Sequence, residues 1–159
     1  MTSSGRDFTL DRFQLEAIEH LDAGRSVLVA APTGSGKTVV AEHAIYRALS
    51  ERKRAFYTAP IKALSNQKYR DLSERIGSSR VGLLTGDNAI NADADIVVMT
   101  TEVLRNMLYE GRALDDLAFV IMDEVHYLED TFRGPVWEEV MLHLPAHAKL
   151  MCLSATVSN

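Results

Sequence analysis

The stretch Val27-Leu28-Val29-Ala30-Ala31-Pro32-Thr33-Gly34-Ser35-Gly36-Lys37-Thr38-Val39 decides how this chain folds. Its apolar start reads as a buried strand, its glycine-rich middle as a tight turn, and the residues from 39 onward as a helix. Strand, glycine-rich turn and helix in that order form the context of a phosphate-binding loop. Such a loop turns successive backbone N–H groups inward around phosphate oxygens, and the helix that follows adds its unpaired N–H groups and positive dipole end. Gly34 and Gly36 let a triphosphate approach the backbone closely. Lys37 has the reach and charge for the β/γ-phosphates, and the Thr38 hydroxyl is a hard oxygen suited to Mg²⁺. Pro32, Thr33, Gly34, Ser35, Gly36, Lys37 and Thr38 are therefore the candidate nucleotide contacts. The general pattern begins with glycine where this chain has Ala31.

Outward from the loop, apolar strands alternate with amphipathic helices. A helix is expected before it, from Leu10, Phe13, Ala17, Ile18 and Leu21, and another after it to about residue 52. Strands are predicted at 55–59, 81–84, 96–99, 117–122 and 150–153, and helices at 62–75, after Thr100 or Thr101, and after Gly134-Pro135. In the last of these helices Val136, Trp137, Val140, Met141 and Leu144 share the buried side. This alternation predicts an α/β fold: a three-layer P-loop NTPase domain with a mainly parallel sheet and helices on both faces. Ligands of such folds bind at the carboxyl ends of the strands, where nearly every polar motif of this chain falls.

The most informative of those motifs is Asp123-Glu124-Val125-His126, after the apolar run Phe119-Val120-Ile121-Met122. An aspartate at the tip of a buried strand beside a phosphate loop can hold Mg²⁺ opposite Thr38. The adjacent Glu124 is then placed to orient and deprotonate a water attacking the γ-phosphate. Lys37, Asp123 and Glu124 are the candidate catalytic residues; His126 taken alone is more often a hydrogen-bonded scaffold histidine, and it joins them only through the resemblance given below. Zinc is disfavoured, because the five histidines show no ligand spacing and there is one cysteine.

A chain of 159 residues, 47% hydrophobic and 25% charged, suits one folded domain rather than a disordered segment. No apolar run reaches membrane-spanning length and the N-terminus lacks a signal peptide's apolar stretch, so no membrane role and an intracellular, cytoplasmic location (nuclear in a eukaryote) are expected. Cys152 sits in an apolar run and reads as an inert core thiol. The net charge of −5 gives no bulk support for nucleic-acid binding, so such a ligand would be gripped locally by backbone amides and a few side chains.

Together these motifs resemble the first motor domain of a superfamily-two helicase of the DExH-box type, within it the superkiller-like RNA helicases of the exosome-associated branch and their bacterial relatives. The resemblance runs almost end to end: Phe8-Thr9-Leu10-Asp11-Arg12-Phe13-Gln14, the phosphate loop, Thr58-Ala59-Pro60-Ile61-Lys62-Ala63-Leu64-Ser65-Asn66-Gln67-Lys68, Thr85-Gly86-Asp87, Thr100-Thr101-Glu102-Val103-Leu104-Arg105, Asp123 to His126, and Ser154-Ala155-Thr156. It implies that Gln14 reads the adenine edge and Phe8 stacks on the base. It implies that His126, Ser154 and Thr156 couple the γ-phosphate state to movement between motor domains. It also implies that Pro60, Ile61, Lys62, Thr85, Gly86, Asp87, Thr101 and Arg105 contact the backbone of single-stranded RNA. Without the family, Thr101 and Glu102 read equally well as a helix cap with first-turn charge, and Trp137 as core.

The implied activity is ATP hydrolysis coupled to translocation on and unwinding of RNA, with ATP and Mg²⁺ as cofactors and an RNA-decay complex as partner. The alternatives are a DNA translocase of a related repair branch, or a non-hydrolysing ATP-dependent nucleic-acid-binding module. Residues 1–159 are expected to be one RecA-like ATP-binding domain, lacking the second motor domain and the arginine finger the family carries there. Alone, the chain is expected to bind ATP–Mg²⁺ weakly and to turn it over little, since an arginine finger contributes on the order of 10³–10⁵ in rate.

Overall fold

The computed structural model describes residues 27–31, 37–111, 114–123, 140 and 142–155. Among the described residues seven strands form one sheet: β1 (Val27–Ala31), β2 (Arg54–Ala59), β3 (Val81–Thr85), β4 (Asn88–Ile90), β5 (Ile96–Thr100), β6 (Leu117–Met122) and β7 (Lys149–Ala155). Their spatial order is β1-β7-β6-β2-β5-β3-β4, with every pairing parallel except the β3–β4 hairpin. The α-helices with both ends among the described residues are α1 (Lys37–Ser50), α2 (Lys62–Ile76) and α3 (Thr101–Tyr109). The expected α/β class and mainly parallel sheet are those observed. The expected helix before the phosphate loop lies outside the described residues, as do Val136, Trp137 and Met141 of the helix expected after Pro135.

Strand periodicity sorts the core into two layers, because successive side chains leave opposite faces of a sheet. Ala55, Tyr57, Ile96, Val98, Phe119, Ile121, Met151 and Leu153 face one way, against Val40, Ala44, Ile45 and Ala48 of α1 and Leu72 of α2. Phe56, Val97, Met99, Val120, Met122, Leu150 and Cys152 face the other, against Leu104 and Met107 of α3 and against Val140, and Leu117 joins them because the β2–β6 register shifts by one residue between Arg54 and Ala55. Helices thus cover both faces, as expected. An ion pair between Arg75 and Glu42 joins α2 to α1 across the first face. Val140 is buried and Leu144 packs on the same cluster, as the predicted apolar side requires, while Leu142 between them is exposed.

Local chemistry sets the ends. The Thr100 side chain accepts from the Val103 N–H and caps α3, an interaction worth about 1 kcal/mol. Gly77 ends α2 at φ 113°, a backbone region other residues rarely adopt, and its N–H donates to the Ser73 carbonyl. The short edge strand β4 was not expected from the sequence: three exposed residues carry no alternation to read. It pairs antiparallel with β3, and the chain leaving it closes in on Gly82, where an added Cβ would lie 2.1 Å from the Asn91 carbonyl oxygen. Among the described residues no helix is long and apolar enough to cross a membrane.

Two outcomes follow from this packing. Gly82→Ala forces the hairpin backbone apart and is expected to destabilise the domain by about 1–3 kcal/mol in urea unfolding; wild-type stability would show that β4 is not held as described. Cys152 is 2% exposed, and burial pushes its thiol up to about 12. It should therefore resist thiol reagents at pH 8 in the native protein and react fully in denaturant.

Candidate nucleotide and nucleic-acid edge

The carboxyl ends of the parallel strands point to one edge, and the strand order decides which motifs meet there. β1 delivers the chain into the phosphate loop and α1 takes it up again at Lys37. β7 pairs with β1 up to Ala31 opposite Ala155, which sets Ser154 beside Ala30. β6 lies on the other side of β7 and ends at Met122, opposite Cys152. One strand thus separates β1 from β6, so their tips are about 10 Å apart. Lys37 and Asp123 consequently start from the same edge of the sheet.

Asp123 continues the sheet by one bond, its N–H donating to the Thr58 carbonyl at 2.9 Å. Its carboxylate is half-buried, and Oδ2 accepts a hydrogen bond from the Tyr57 hydroxyl. A cavity of about 190 Å³ opens beside this pair, between α2 and the ends of β2 and β6, with Gln67, Lys68 and Asp71 also on its wall. One carboxylate oxygen is engaged by this neutral donor, and a carboxylate oxygen is the hard donor type that suits Mg²⁺. Phe8, Gln14, Pro32, Thr33, Gly34, Ser35, Gly36, Glu124, His126 and Thr156 lie outside the described residues.

The second half of the edge is built by β2, β5 and β3. Pro60, Ile61 and Lys62 follow β2, and the buried Ser65 ties this turn down by donating to the carbonyls of Ile61 and Met99. Thr101 and Arg105 follow β5 on α3. Thr101 is buried at the start of α3. Thr85, Gly86 and Asp87 follow β3. Lys62 reaches across β5 to donate to Asp87 Oδ2 at 2.5 Å, and the Thr85 hydroxyl donates to Oδ1 at 3.1 Å. All eight predicted nucleic-acid contacts are thus strung along the ends of three neighbouring strands.

Tyr57 had no role in the sequence reading beyond filling a strand. The available signal was a phenol in an otherwise apolar buried run, since a buried tyrosine hydroxyl needs a partner.

A parallel sheet with helices on both faces and its polar motifs gathered at the carboxyl edge defines a RecA-like α/β domain. Residues 11–159 match the DEAD/DEAH box helicase family, and the chain belongs to it. It is 60% identical over 153 residues to the probable helicase HelY of Mycobacterium leprae, 57% to the antiviral helicase SKI2 of Saccharomyces cerevisiae, and 52% to the ATP-dependent RNA helicase mtr4 of Schizosaccharomyces pombe. Each similarity covers 96% of this chain but only 17%, 12% and 14% of those proteins. The helicase domain of Hef from Pyrococcus furiosus shares the fold, with a TM-score of 0.70 at 22% identity over 94% of this chain and 34% of that one.

Asp87 supplies a test of the edge geometry. The hydrogen bond from Lys62, then that from Thr85, hold its carboxyl below the ordinary aspartate value. A lowered carboxyl pKa adds stability above the unfolded value and loses it as pH falls through the folded one. The Asp87 carboxyl signal in NMR should therefore titrate lower than a free aspartate's, and Lys62→Met should return it toward the free value. An unshifted signal in the wild type would separate the two strand ends.

Proposed function

We propose that this chain is the first RecA-like motor domain of an ATP-dependent DExH-box RNA helicase, acting with a second such domain of the same protein. The observation that carries this is the division of one sheet edge into two runs. The phosphate-loop strand, β7 and β6 stand together on one side, and the strands preceding residues 60–62, 101–105 and 85–87 stand together on the other. A nucleotide bound on the first run and a single strand lying along the second would be read by adjacent strand ends. The high identity to SKI2 and mtr4 supports RNA as the strand.

In this proposal the phosphate loop, with Lys37, holds the β/γ-phosphates, while Phe8 and Gln14 select adenine. Thr38 and Asp123 would hold Mg²⁺, which would neutralise phosphate charge there. Glu124 orients and deprotonates the attacking water, and His126, Ser154 and Thr156 transmit the γ-phosphate state. Pro60 to Lys62, Thr85 to Asp87, Thr101 and Arg105 grip the sugar-phosphate backbone. Those contacts use amides, hydroxyls and helix N-termini more than net positive charge, which reconciles an acidic chain with a polyanionic ligand. An intracellular RNA-processing assembly is the setting this activity calls for.

The test is nucleotide turnover by the full-length protein, both motor domains together, with single-stranded RNA or DNA added. RNA is expected to stimulate hydrolysis more than DNA, and Glu124→Gln to retain ATP binding while losing about 10²–10⁴ in rate. Equal or greater stimulation by DNA would replace the RNA assignment with a DNA translocase. Wild-type turnover in Glu124→Gln would remove the hydrolytic role.

A further inference from the structure

We propose that Tyr57 is a positioning residue for Asp123, its hydroxyl holding the candidate metal-binding carboxylate in one orientation across the β2–β6 junction. This rests on the assignment of Asp123 as the metal ligand. Tyr57 lies opposite Ile121 in the β2–β6 register, so Asp123, two residues further on, leaves the sheet from the same face. The Tyr57 ring is 1% exposed and packed among the apolar side chains beneath α1 and α2. Its oxygen is therefore a fixed point, whereas an aspartate at a strand tip is free to rotate about two torsions. The bond to Oδ2 removes that freedom.

The chemistry of the donor matters as much as its position. A lysine or arginine in the same place would cancel the carboxylate's charge and compete with a cation. A phenol O–H orients the group while leaving the charge in place. Lys68 tunes this donor: its Nζ sits 5.1 Å from the centre of the Tyr57 ring, within range of a cation–π contact. A cation over the ring draws electron density from the phenol and strengthens its O–H as a donor. Lys68 belongs to α2, the helix that opens at Lys62, so the element bearing one candidate nucleic-acid contact also touches the group that orients Asp123.

The experiment is Tyr57→Phe in the full-length protein with both motor domains, which keeps the ring and deletes the hydroxyl, read by Mn²⁺ binding to the protein–nucleotide complex in electron paramagnetic resonance. Nucleotide affinity in EDTA is expected to stay at the wild-type level, while Mn²⁺ affinity falls about tenfold. Turnover should fall at limiting Mg²⁺ and recover at excess Mg²⁺, a pattern that a purely structural loss would not produce. Wild-type Mn²⁺ affinity in folded Tyr57→Phe overturns the proposal. If that variant does not fold, Lys68→Met decides: Mn²⁺ affinity about two- to fivefold weaker supports the proposal and unchanged affinity overturns it. Asp123→Asn run alongside separates the two levels, since its failure to weaken Mn²⁺ would remove the metal-ligand assignment itself.

Discussion

The fold and its edge depend on β6 being paired on both sides, with β7 on one flank and β2 on the other. All six of its residues are buried, so neither face tolerates a polar side chain before Asp123. The strand is in effect a rigid spoke that carries one carboxylate from the middle of the core to the rim. Because parallel neighbours advance in the same direction, every other motif-bearing strand reaches that rim too.

The junction of β6 with β2 is also where the edge changes character. On one side lie the strands that lead into the phosphate loop and Ser154, and on the other the strands that lead into Lys62, Asp87 and Arg105. Backbone pairing through Thr58 and Asp123 and the Tyr57 hydroxyl bond both cross it. A shift of β2 along β6 would disturb both at once, and in-register pairing resists such slippage because one residue of slip moves every buried side chain to the other face.

Much of this was legible in the residue pattern. The apolar run 117–122 matched its strand residue for residue, and Thr100 capped the next helix as its side-chain chemistry allows. Cys152 lies in the core, as its apolar neighbours suggested. β4 was not legible, because it has no buried face and exists only through its partner β3. Nor was the Lys62–Asp87 pair, whose members are 25 residues apart and meet only because β3 and β2 flank the same strand.

What the sequence by itself determined is the type and order of the elements other than β4, and the residues at their tips, since periodicity, capping and turn chemistry are short-range properties. Which tips become neighbours was decided by the tertiary structure alone. The order β1-β7-β6-β2-β5-β3 interleaves strands far apart in the chain, so the last strand described stands between the phosphate-loop strand and the one that ends at Asp123. That placement arises from burying two apolar faces at once, a long-range condition that no local window of residues contains.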